Sequence, residues 1–129
     1  MKKIIIATIL AVTSINAVAD TRMDLMTAEN ALRDSTERFM LVEGKVKDTY
    51  LASYQFVKDL KRVTTPIIVN TLNNTSMTCE EIGAKFTSLN NQKTEGKIPA
   101  TNKLLAHAAK DLSDKIGDWA MYQCFDLKG

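Results

Sequence analysis

Residues 25–63 read LMTAENALRDSTERFMLVEGKVKDTYLASYQFVKDLKRV. Stepping alternately by three and four from Leu25 meets Ala28, Leu32, Ser35, Phe39, Val42, Val46, Thr49, Ser53, Phe56, Leu60 and Val63. Nine of these twelve positions are apolar, which is the heptad stripe of a helix and not the alternation of a strand. On other faces Glu29 precedes Arg33, Asp34 precedes Arg38 and Glu43 precedes Lys47 by four residues, the favourable order for ion pairs along a helix. The pattern predicts one helix from about Thr21 to Arg62, about 60 Å long. Gly44 costs about 1 kcal/mol relative to alanine in a helix interior. The stripe nevertheless keeps register from Val42 to Val46, so the expected helix is continuous or gently bent.

Downstream, Thr64-Thr65-Pro66 offers a stop followed by proline at a first helical position, and Ile67, Ile68, Val69 and Leu72 supply a short helix over about 66–73. Thr78-Cys79-Glu80-Glu81 is a capping box, in which the threonine hydroxyl and the second glutamate each take a backbone N–H that the first turn leaves unpaired. A helix over about 79–90 follows, with Cys79, Ile82, Phe86 and Leu89 on one face. Asn90 to Ile98 is polar, contains Gly96 and reads as a loop. Pro99 stands near the start of a last helix running to about Cys124, with Leu105, Ala108, Leu112, Ile116 and Trp119 inward. The fold class is all-α: a small helical bundle with one long N-terminal helix and a disulfide-tied C-terminal part.

The N-terminus has the three parts of a cleavable secretory signal in order. Met1-Lys2-Lys3 is the basic end, Ile4 to Val12 the apolar run, and Ala17-Val18-Ala19 the small-residue site before Asp20. Thr13, Ser14 and Asn16 interrupt the apolar run well short of the roughly 20 residues a spanning helix needs. The expectation is an exported protein, periplasmic or secreted, with 1–19 removed and 20–129 forming one domain. Removal of Lys2 and Lys3 takes the 17 Lys+Arg to 15, against 15 Asp+Glu, a net charge of zero. The basic excess thus belongs to the export segment, which argues against a nucleic-acid partner.

Cys79 and Cys124 are the only cysteines, and an even count in an exported chain predicts a bridge. Closing that loop stabilises the fold by about 4 kcal/mol in the chain-entropy model. Catalytic and cofactor signatures are missing: there is no nucleophile elbow, no paired-histidine zinc motif, no P-loop and no dinucleotide fingerprint. The single histidine, His107, falls roughly opposite the core on its helix, with Asp111 four residues on. Met23 and Met26 with His107 would suit a haem in a bundle, but no haem-attachment motif is present and the methionines also suit core packing. No enzyme, metal or cofactor is expected. Tyr122 and Phe125, beside the second cysteine, are a candidate binding patch.

Met77-Thr78-Cys79-Glu80-Glu81 followed by Tyr122-Gln123-Cys124 resembles the small periplasmic acid-stress chaperones of the HdeA and HdeB type, over Met77–Cys124. That resemblance implies a helical, disulfide-closed dimer that loosens in acid and shields unfolding clients. Cys124-Phe125-Asp126-Leu127 looks like a segment near the C-terminus of some periplasmic immunity proteins against amidase effectors. The expected function is non-enzymatic binding of a protein partner in the periplasm, as by an inhibitor or immunity protein. The alternatives are an acid-stress chaperone or a structural component of a secretion, conjugation or phage assembly. A last helix of about 40 Å covers only part of a 60 Å one. The seam at Leu25, Leu32, Phe39 and Val42 is therefore expected to pair with a second copy as a homodimer.

Overall fold

The computed structural model describes the backbone from Leu10 to Gly129 and the side chains from Asp24 onward. The described residues form four helices and no strand: α1 (Leu10–Glu43), α2 (Thr49–Asn74), α3 (Cys79–Thr94) and α4 (Lys103–Lys128). The chain is therefore all-α, as its periodicity indicates. The basic end and first apolar residues of the expected signal peptide lie outside the described residues. No described helix is long and apolar enough to cross a membrane.

The helix expected over 21–62 is two helices. Gly44 takes the left-handed conformation at φ +73° and donates its N–H to the Met40 carbonyl at 2.9 Å. Other residues would lose about 1 to 2 kcal/mol there, so glycine ends α1 at this point. The chain reverses, and Asp48 caps α2 by accepting from the Leu51 N–H at 3.1 Å. The stripe keeps its register across the turn because both halves face the same core. Two contacts record the antiparallel return: Lys61 to Glu29 at 3.2 Å and the Thr49 hydroxyl to Glu37 at 3.1 Å.

The separate helix expected over 66–73 is the last part of α2, with Pro66 inside it. Proline cannot donate to the carbonyl of Arg62, but Pro66 and Arg62 are both exposed and water can serve that acceptor. The capping box forms as read, with the Glu81 N–H on Thr78 Oγ1 at 3.1 Å and the Thr78 N–H on Glu81 Oε1 at 2.8 Å. α3 continues beyond 90 to Thr94, and α4 begins only after its Asn102 cap, so Pro99 lies in the connection.

α4 is the organising element. It runs antiparallel to α1, where Ser35 donates to Asp111 at 2.6 Å. It also runs antiparallel to α3, joined by the Cys79–Cys124 disulfide at one end and by Asn90 on Ser113 at 2.7 Å further along. Leu32, Ile68, Trp119, Ala120 and both cysteines form the fully buried centre, and Leu25 and Phe39 pack against it. Of the seam expected to pair between copies, Leu25, Leu32 and Phe39 are thus packed into the core of the same chain, while Val42 is half-buried at the lining of an open depression with Leu104 and His107. An up-down-up-down bundle has four seams between neighbouring helices. Here α1 packs on α2 and on α4, and α3 on α4, while α2 and α3 hardly touch.

Candidate partner-binding groove

The open α2–α3 seam is an apolar groove of ≈ 510 Å³. Phe56, Leu60, Val63 and Ile67, with Thr64 between them, line one wall; Phe86 and Leu89 with the polar Asn90, Gln92 and Lys93 line the other, and Ile116 of α4 the floor. Val63, Ile67 and Leu89 are 52%, 49% and 45% exposed, so large aliphatic surface stands in water along both rims. Lys93 is the one charged residue of the lining, and it makes no ion pair among the described residues. Apart from the Arg62 carbonyl, which Pro66 leaves without a helical donor, the backbone groups of these helical walls are bonded internally, leaving side chains to do the recognition.

The groove exists because α3 is pulled toward α4 and away from α2. Gly83 and Gly117 face each other across the α3–α4 contact: a Cβ on Gly83 would stand 2.7 Å from the Gly117 carbonyl oxygen, and one on Gly117 would stand 2.8 Å from that of Gly83 and collide with Thr87. The disulfide fixes the same pair of helices at their end. α2 is held to α1 by the Gly44 turn, so the two outer helices are anchored to different partners.

A second cleft, ≈ 430 Å³, lies between α1 and α2. There the Arg33 guanidinium stands over the rings of Tyr54 and Tyr50, at 4.9 and 5.5 Å from their centroids. Arg33 is paired with Asp34 at 2.7 Å and Glu37 at 3.8 Å, and Lys61 with Glu29 at 3.2 Å. The contact of the Tyr54 hydroxyl, 3.4 Å away, raises the Tyr50 phenol above its ordinary value. Most of the charge in this cleft is matched from within the chain.

The residues singled out in the sequence are dispersed. His107 is exposed in a shallow depression with Arg38, Val42, Leu104 and Asp111. Asp111 is engaged by Ser35, by Lys115 at 3.1 Å and by Arg38 at 3.6 Å. The Ser35 hydroxyl, followed by Lys115 and Arg38, holds its carboxyl below the usual range against the opposing effect of burial. Met26 is exposed, and the side chain of Met23 lies outside the described residues. Among the described residues no group of three or more His, Cys, Asp or Glu is placed to hold a metal ion.

Tyr122 and Phe125 are half-buried against the core, their rings 6.2 Å apart, and burial raises the Tyr122 phenol. They offer less open surface than the groove. The groove itself was not read from the sequence, although Val63 and Ile67 carried a signal: they extend the stripe of Phe56 and Leu60 by one helical step each. No family model, curated protein or solved structure matches the chain.

Proposed function

We propose that this chain is an exported, non-enzymatic protein that works by binding another protein in the periplasm, in the manner of an inhibitor or immunity protein, through the α2–α3 groove. One observation carries the proposal: the aliphatic side chains of Val63, Ile67 and Leu89 line the open seam between α2 and α3. Contiguous exposed apolar surface of this kind marks interaction sites on folded proteins. The export-type N-terminus and the buried Cys79–Cys124 bridge support the compartment, since such bridges persist where the surroundings are oxidising.

A photo-crosslinking amino acid placed at Leu89 or at Ile67 of the full chain, expressed in an exporting bacterial host, tests the proposal. Leu104 is the control, 69% exposed on the α1–α4 side. Both groove positions are expected to give one discrete heavier adduct and the Leu104 position none. Adducts at Leu104 alone, or at no position, would remove the groove from consideration. An adduct of twice the chain's mass would replace the foreign partner by a second copy.

A further inference from the structure

We infer that α2 is an element two copies of this chain exchange: each α2 leaves its own α1 and packs in the same place on the other copy, with the turn from Gly44 to Asp48 drawn out into helix. The inference is independent of what the groove binds. Its first support is phase. The core-facing positions Leu32, Ser35 and Phe39 of α1 and Thr49, Ser53 and Val57 of α2 are joined by the half-buried Val42 and Val46, and three- and four-residue steps run through all of them without a break. Helices folded back on each other need not be in phase, since a turn allows each to present any of its faces to the core. Drawn out, the segment from Leu25 to Asn74 would be one helix of about 75 Å with every core position on one side.

The turn itself is held by two local devices, the left-handed Gly44 at φ +73° and the Asp48 cap on the Leu51 N–H at 3.1 Å. Gly44-Lys45-Val46-Lys47-Asp48 contains no proline, so its backbone is free to join α1 to α2 as helix. Glu43, now beside Lys45 at 3.9 Å, would then pair with Lys47 in the favourable order.

The third support is how α2 is attached. It packs on α1 and lightly on α4, hardly touches α3 and has no part in the disulfide. Val57 and Ile68 are its only fully buried apolar residues, and Thr49, Ser53 and Thr64 complete its buried face. α1, α3 and α4 keep their mutual contacts and the bridge without it, so α2 can open as a unit. An exchanged α2 remakes the same contacts on the second copy, which confines the difference between the two states to the turn and to the association itself. Each groove then takes its α2 wall from one copy and its α3 wall from the other.

The experiment unfolds unlabelled and heavy-nitrogen-labelled oxidised chains in urea, mixes them equally, refolds them at high concentration and separates dimer from monomer by gel filtration. A carbodiimide then couples Lys61 to Glu29, which lie 3.2 Å apart across α1 and α2, and mass spectrometry reads the labels on the linked peptides. Monomer links are expected to join like labels only, and about half of the dimer links to join unlike ones. Gly44→Ala, strained in the turn and favoured in a helix, is expected to lower the dimer dissociation constant at least about tenfold in sedimentation equilibrium. Asp48→Ala should act in the same direction. Four glycines inserted between Lys45 and Val46, which free the turn and break the helix, should raise it at least about tenfold.

Dimer links that join only like labels would overturn the exchange. No dimer from the parent, Gly44→Ala or Asp48→Ala would overturn it too, as would an insertion that leaves association unchanged. The insertion keeps the groove while removing the exchange, which separates this dimer from a second copy bound in the groove. Circular dichroism checks that each variant is folded, and Asp48→Ala carries the test if Gly44→Ala is not.

Discussion

Asp111 shows how one side chain ties two helices together. It accepts from Ser35 of α1 at 2.6 Å and is flanked by Lys115 of its own helix and Arg38 of α1. Because these contacts favour the ionised form, its folded pKa lies below the unfolded value of about 3.9. A depressed carboxyl contributes stability that is fully present above the unfolded pKa and is lost as pH falls through the folded one. Asp111→Asn is expected to lower stability by about 1 to 2 kcal/mol at neutral pH. The difference from the parent should shrink as pH drops below about 4, read by urea unfolding with the buried Trp119 as fluorophore. A difference that stayed constant down to strongly acid pH would show that the carboxylate is not what joins α1 to α4. The sequence placed Asp111 beside His107; only the α1–α4 packing reveals Ser35 as its principal partner.

Among the elements, the α3–α4 pair is set by glycines whose role the sequence does not display. Substituting alanine for a mid-helix glycine ordinarily stabilises a helix by about 1 kcal/mol. At Gly117 the added carbon would stand 2.8 Å from the carbonyl oxygen of Gly83, a backbone atom that cannot turn aside, and would also meet Thr87. Gly117→Ala is therefore expected to destabilise, since overpacking costs about 1 to 3 kcal/mol, and thermal unfolding followed by circular dichroism would measure it. A raised melting temperature would mean that α3 and α4 do not approach so closely. The break at Gly44 belongs to the same scale. Its signal was present in the pairing of Gly44 with Asp48, a helix-ending glycine followed by a capping aspartate. The unbroken heptad register masked it, because a hairpin of two helices and one long helix can carry the same stripe.

At the scale of the molecule, the disulfide holds α4, which contacts α1 and α3 extensively and α2 lightly, to the start of α3. Cys79 and Cys124 are 1% and 0% exposed, and their bridge spans a separation of 45 residues. Replacing both by alanine is expected to lower stability by about 4 kcal/mol, mainly through a freer unfolded chain. Guanidinium unfolding of the double variant would measure this, and a loss near zero would mean that the α3–α4 packing is already sufficient alone. The groove also belongs to this scale, since it arises from α2 being anchored to α1 while α3 is drawn to α4.

The helical class, the capping box at Thr78, the pairing of the two cysteines and the inward face of α4 were all legible in the chain, because each depends on contacts within a few residues or on a count of two. The register of the apolar stripe was legible as well. Whether that stripe formed one helix or two, and whether it faced a second copy or its own α4, depended on contacts between residues far apart in the sequence. The groove is the extreme case: Ile67, Leu89 and Ile116 come from three helices, and no local pattern announces a seam that fails to close. Local hydrogen bonding and periodicity determine elements, whereas the choice of which buried faces meet is made by packing the whole chain at once.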